Sequence, residues 1–147
     1  MYINGKFVES RSGKWIDVLN PSTEEVCSRQ PEGTVEDVEE ALDAARAAQK
    51  SWEKTPAIER AAYLSKMADG IRKREKEFVE IIMREQGKTR SWAQIEVGAT
   101  IAYFDYMASF ARHIEGEIIQ SDNRGETIFL SKKPIGVVAG ILPWNFP

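Results

Sequence analysis

The run Gly140-Ile141-Leu142-Pro143-Trp144-Asn145-Phe146-Pro147 sets one carboxamide between two prolines. Proline fixes its own φ and pushes the residue before it out of the helical region, so Trp144-Asn145-Phe146 is expected to be stiff and extended. If the preceding apolar run is a strand of an open α/β sheet, the motif sits at its carboxyl end, where such sheets bind ligands. An Asn side chain offers an N–H donor without a charge. That suits an oxyanion that forms only as a carbonyl is attacked, where one donor is worth about 2.7 to 4 kcal/mol. Asn is also at home in a proline-rich turn, bonded to its own backbone. Residue types alone leave both readings open.

Other reactive side chains give less. Cys27, the one cysteine, lies beside Val26 without a neighbouring His, Lys or helix start to lower its pKa, and reads as a structural thiol. His113 is the one histidine, so no His/Cys metal site is expected; near a helix end a partly charged imidazole suits the dipole. Gly87-Lys88-Thr89 resembles the end of a phosphate loop, but the first glycine of that motif would fall at Ile82. No G-x-G-x-x-G fingerprint occurs. Arg72-Lys73-Arg74 is diluted by Glu75, Glu77 and Glu80, the pattern of a solvated helix face.

The elements that must position these residues follow from periodicity. In residues 1–31, Asn4-Gly5 sits between Tyr2-Ile3 and Phe7-Val8, and Trp15 to Val18 and Asn20-Pro21 follow; these signal short strands and turns. A first helix is expected from Thr34, with Asp37 completing the cap and Val38, Ala41, Leu42, Ala45 and Trp52 on one face. A second begins at Thr55-Pro56 and runs to Gly87, with Ile58, Ala61, Ala62, Met67, Ala68 and Ile71, then Phe78, Ile81 and Ile82 as its stripe. A third runs from about Thr89 to Glu115, with Ile95, Ala99, Ala102, Tyr103, Tyr106, Met107, Phe110, Ala111 and Ile114 inward and Gly116 as the stop. Residues 117–132 read as a hairpin about Asp122-Asn123-Arg124-Gly125. Ile135 to Leu142 carries no polar residue on either face, as in a strand buried in a parallel sheet. Such a strand needs a crossover and a partner, so the sequence reads as cut inside a larger domain.

The 147 residues are 42% hydrophobic and 29% charged, ordinary for a soluble domain. Twenty Lys and Arg against 23 Asp and Glu give a net charge of −3, which argues against a nucleic-acid backbone or an anionic membrane as partner. No apolar run approaches a membrane span, and the first six residues lack a signal peptide's apolar stretch; a cytoplasmic protein is expected.

The segment Gly136-Val137-Val138 through Pro143-Trp144-Asn145-Phe146-Pro147 resembles the strand and Pro-Trp-Asn-Phe-Pro motif of the aldehyde dehydrogenase superfamily. Asn20-Pro21-Ser22-Thr23-Glu24 is similar to that family's amino-terminal turn, and Ala44 to Ala48 with Trp52, then Arg60-Ala61 with Leu64, to its first two helices. Glu115 to Asp122 is similar to the lactaldehyde and glycolaldehyde dehydrogenase branch. The resemblance implies attack on an aldehyde by a cysteine thiolate, hydride transfer from the thiohemiacetal to NAD or NADP, and release of the acid with help from a glutamate. By the same match Asn145 is the oxyanion donor, and Ile141, Leu142, Pro143 and Trp144 flank the ribose and nicotinamide. Phe146 faces the substrate, and Glu96, Ala99 and Tyr103 line its tunnel. The family's Gly-Gln-x-Cys and Glu-Leu-Gly-Gly contexts are absent from the 147 residues, and Cys27 does not replace the first.

The expected fold is α+β as it stands: three helices, amino-terminal strands, a hairpin arm and the first strand of a truncated Rossmann-like sheet, the parent fold being α/β. Residues 1–116 would hold the strands and helices, 117–134 the hairpin of an oligomerisation arm, and 135–147 the start of the nucleotide-binding sheet. The parent would act on a small hydroxyaldehyde as a homodimer or homotetramer, with this piece inactive alone. The rival expectation is a non-catalytic interaction module from a truncated gene.

Overall fold

The computed structural model describes residues 1–142 and 144–146. Asn4 and Gly5 both take positive φ, 50° and 76°, the mirror-image turn that matches strand twist, and join β1 (Tyr2–Ile3) to β2 (Lys6–Phe7). β3 (Trp15–Leu19) and β4 (Val26–Pro31) pair antiparallel with an irregularity between Val18 and Leu19. The helices α1 (Val35–Trp52), α2 (Ala57–Lys73), α3 (Glu75–Gln86) and α4 (Arg90–Ser109) follow, the last running into a 3₁₀ turn, Phe110–Arg112. β5 (Glu117–Gln120) and β6 (Thr127–Leu130) form the last hairpin, in the register Ile118 to Phe129.

The α+β composition agrees with the sequence reading, but the described residues contain four helices rather than three. The second expected helix breaks at Arg74, whose φ of −115° and ψ of 17° end α2 and start α3. No proline or glycine marks the break. A straight helix over those residues would be about 45 Å long; breaking it lets α2 and α3 each lie against α4. The Arg74 guanidinium grips both oxygens of Glu77 across the break, at 2.8 and 2.6 Å.

The core at this junction is Ala68 of α2, Val79 of α3, and Ala93, Val97 and Ile101 of α4, ringed by Ile71, Phe78, Ile82, Met83 and Phe104. This corrects the stripe expected for α4. That helix is apolar on two faces, and the one carrying Ala93 and Val97 packs inward because its small and branched residues let α2 and α3 approach. Ile95, Ala99, Tyr103 and Tyr106 stay exposed. Gly116 is likewise not the stop of α4, which ends at Ser109; a Cβ there would lie 2.2 Å from the Leu130 carbonyl oxygen, so it serves the close approach of β5 and β6.

Thr34 caps α1 as expected: its hydroxyl accepts from the Asp37 amide at 3.2 Å, and the Asp37 carboxylate accepts from the Thr34 amide at 2.9 Å. Thr55 does not cap α2. Pro56 takes that position without a side-chain bond, while the Thr55 hydroxyl donates to the Ser51 carbonyl.

Ile135 to Leu142 forms no strand among the described residues, contrary to the expectation of a first sheet strand. A strand needs a neighbour to complete its ladder. Here the segment is open, Ile141 being 96% exposed.

Candidate functional site

The site is built where α3 hands over to α4. α3 ends at Gly87, whose φ of 68° is the left-handed cap that costs glycine nothing. A Cβ at Gly87 would lie 2.8 Å from Pro21 Cγ, so the Asn20-Pro21 turn rests directly on this cap. That turn is held by its own Asn20 carboxamide oxygen, which accepts from the Ser22 amide at 2.9 Å. The close approach sets Leu19, Pro21, Glu85, Gln86 and Lys88 around one cleft of about 410 Å³ whose remaining walls are Trp144 and Asn145.

Residues 144 and 145 form a turn rather than the extended run expected, and it is anchored to the α3–α4 junction through its backbone. The Gln86 amide nitrogen donates to the Trp144 carbonyl, and the Lys88 ammonium donates to the Asn145 carbonyl. The same ammonium lies 4.6 Å from the centre of the Phe146 ring and forms an ion pair with Glu96, about two turns into α4 from Thr89. Glu96 is 7% exposed and Lys88 21%, so the pair is largely removed from water, whereas other ion pairs such as Arg46–Asp43 stand on the surface. Gln86 Oε1 is buried with no hydrogen-bond partner among the described residues. Because the helices hold the main chain of the turn, the exposed Asn145 side chain is left outside those bonds.

Of the residues singled out from sequence, Asn145, Phe146 and Glu96 are therefore brought together, through Lys88. Ala99 and Tyr103 are exposed on the same side of α4, about one and two turns beyond Glu96. Ile141, Leu142 and Trp144 are exposed and largely apolar, the Trp144 indole N–H being the one side-chain donor among them. Pro143 lies outside the described residues. Sequence reasoning missed Lys88 and Gln86. The signal available was Glu96 itself: an acidic residue between Ile95 and Val97 on an apolar helix needs a counter-charge, and Lys88 is the near candidate.

The set-aside residues find structural roles. The Cys27 thiol sits in β4, donating to the Val18 carbonyl at 3.3 Å and reaching the Arg84 carbonyl at 3.7 Å. Arg72 joins Asp69 to Asp105 of α4, and His113 stacks edge-on with Phe110. Among the described residues no cluster of three or more His, Cys, Asp or Glu could hold a metal, and no helix is long and apolar enough to cross a membrane.

Residues 7–147 match the model of the aldehyde dehydrogenase family. Over all 147 residues the chain is 55% identical to lactaldehyde dehydrogenase of Escherichia coli K12, and covers 31% of it. It is 40% identical to 3,6-anhydro-alpha-L-galactose dehydrogenase of a Vibrio species, again over the whole chain and 31% of the relative. The crystal structure of the E. coli lactaldehyde dehydrogenase superposes with a TM-score of 0.97, over 100% of this chain and 31% of that one. Betaine aldehyde dehydrogenase of Staphylococcus aureus, in complex with NAD+, superposes with a TM-score of 0.94 at 34% identity, over 99% and 30%. The chain thus spans a little under a third of the length of these relatives.

Proposed function

The chain belongs to the aldehyde dehydrogenase family, and on that premise we propose that it is the part of a cytosolic NAD- or NADP-dependent enzyme that supplies the oxyanion donor for oxidation of a small hydroxyaldehyde such as lactaldehyde. The observation that carries this reading is the Asn145 turn, whose main chain is fixed by Gln86 and Lys88 while the residue itself is exposed and lines the cleft. As a nucleophile attacks the aldehyde carbon, the carbonyl oxygen gains charge, and the Asn145 Nδ2–H donates to it. A neutral donor suits this step, because it strengthens with the developing charge without tying down the uncharged aldehyde.

Phe146, with Ala99 and Tyr103 on the exposed side of α4, would border the substrate, and Glu96 would act from behind through Lys88. Ile141, Leu142 and Trp144 would flank the ribose and nicotinamide end of a dinucleotide, all three being exposed and largely apolar and Trp144 lining the cleft; when bound, that group accepts the hydride. By the family resemblance Pro143 would flank the cofactor with them. Cys27 is not the nucleophile in this reading, because its thiol is engaged with two main-chain carbonyls. The 147 residues alone are accordingly inactive. The hairpin β5–β6 would pair subunits into dimers or tetramers, a reading favoured by the exposure of both its faces.

The test is the full-length protein assayed for aldehyde-dependent formation of reduced nicotinamide cofactor, with lactaldehyde and glycolaldehyde. Wild type should turn over, and Asn145→Ala should lower kcat by about 10²- to 10³-fold. Absence of turnover, full kcat in the variant, or oxidation by the 147-residue chain alone would each defeat the reading. Sedimentation of the full-length protein as a monomer would defeat the hairpin's role.

A further inference from the structure

We propose that Lys88 is the positioning residue for the Asn145 turn, and that Glu96 holds it there. The proposal rests on the reading of Asn145 given above and adds what fixes its geometry.

The ammonium has three donors, and three features of the site meet them: the Glu96 carboxylate on α4, the Asn145 carbonyl, and the face of the Phe146 ring at 4.6 Å. One end of this chain of contacts is rigid, since Glu96 is buried on a helix whose neighbours Ala93 and Val97 belong to the core. The other end is an exposed turn. Lys88 itself cannot drift, because it follows Gly87, which is locked at positive φ against Pro21. Gln86, on the other side of that glycine, holds the Trp144 carbonyl in the same way. Two consecutive carbonyls of the turn are therefore held from two sides of one helix cap.

That arrangement matters for an oxyanion donor because its contribution depends on distance. A donor must lie about 2.7 to 3.1 Å from the oxygen as it becomes charged, and displacement by about 1 Å costs on the order of 10²-fold in rate. The Asn145 carboxamide carries two N–H donors and one acceptor oxygen, and any bond that steers it directly engages one of these. Steering through the carbonyl of the same residue leaves the Nδ2–H free. A lysine suits this task because it is a compact charge with several donors, and its partner Glu96 keeps it aimed where it is partly screened from water.

The experiment uses the full-length protein with Lys88→Met, and with Gln86→Ala as a milder variant that releases only the Trp144 carbonyl. Hydrogen exchange at the amides of residues 144–146 should speed up by roughly tenfold or more in Lys88→Met, with exchange in α2 unchanged. In the aldehyde assay kcat should fall by about 10- to 100-fold, with KM changed far less. Because Lys88 acts through Asn145, adding Lys88→Met to Asn145→Ala should cost little more than Asn145→Ala alone. Unchanged exchange at 144–146 in both variants, or losses that multiply in the double variant, would overturn the proposal. So would exchange that rises throughout α3 and α4, which would mark Lys88 as a fold residue. If wild type oxidises no aldehyde, the functional reading fails while exchange alone still decides whether Lys88 positions the turn.

Discussion

The Asp37 carboxylate is buried at the start of α1, yet it accepts from the Ser10 hydroxyl at 2.7 Å and from the amides of Thr34 and Arg11 at 2.9 and 3.3 Å. These bonds favour the charged form. The Ser10 hydroxyl contributes most, and together they hold the pKa down to about 2 against an ordinary 3.8, although burial pushes the other way. A carboxylate with a depressed native pKa adds stability that is complete above its unfolded value and is lost as pH falls through the native one. Melting temperature should therefore drop between about pH 3.8 and 2, and Asp37→Asn should flatten that limb when thermal unfolding is followed by circular dichroism across the range. Asparagine also sets an NH2 where one carboxylate oxygen accepted from the Arg11 amide, so the variant should melt lower at neutral pH. An acid limb as steep as wild type would show that other carboxylates carry it. The exposed pairs, such as Arg46–Asp43, offer no comparable lever, since surface ion pairs contribute about 0 to 1 kcal/mol.

Helix caps decide where the site stands. Thr34→Ala removes the hydroxyl that meets the Asp37 amide and should cost about 1 kcal/mol, read from urea unfolding. Gly87→Ala should cost more, about 1 to 3 kcal/mol for the left-handed backbone alone, and a further amount because its methyl meets Pro21 Cγ at 2.8 Å, a ring atom that cannot swing away. Adding Pro21→Ala should return part of the second loss and none of the first; a double variant no more stable than Gly87→Ala would refute the contact. Caps and turns were legible in part, Thr55 and Gly116 being misplaced as helix ends. Thr34 with Asp37, Asn4-Gly5 and Gly87 each act through their own backbone, so local residue type suffices. The α2–α3 break at Arg74 was not legible, because its cause is the surface of α4 and no proline or glycine stands at the break, Gly70 lying within α2. The inward face of α4 was missed for a related reason: with apolar residues on both faces, period alone picks the longer aromatic stripe over Ala93, Val97 and Ile101. At the site, Asn145 was visible in sequence as a candidate, because prolines bracket it. Lys88 was not, because its meaning depends on a carboxylate eight residues on and a carbonyl 57 residues on.

The molecule as a whole exposes more surface than its mass accounts for. A compact monomer of 16.6 kDa should expose about 7,600 Å², and this chain exposes 12003 Å². Much of the difference lies on three apolar regions: the outer face of α4 with Trp92, Ile95, Tyr103 and Tyr106, both faces of the β5–β6 hairpin, and the open segment 135–142. The excess of about 4,400 Å² is roughly twice what one subunit buries even in a large obligate interface, so pairing of the hairpin alone cannot cover it. Coverage by further polypeptide of the kind present in the longer relatives accounts for it without strain. The 147-residue chain on its own should then associate and bind a hydrophobic dye. The hairpin is the place to test, because Ile118 and Phe129 face each other across the ladder at 74% and 73% exposure and the strands offer unpaired edges. In sedimentation velocity the wild-type chain should run as concentration-dependent oligomers, and Ile118→Lys with Phe129→Lys should shift it toward smaller species without abolishing dye binding, which α4 and the 135–142 segment retain. A monodisperse wild-type monomer at high concentration would mean that these surfaces close over one another in solution, and the helical face bearing Ala99 and Tyr103 would then be unavailable to any substrate.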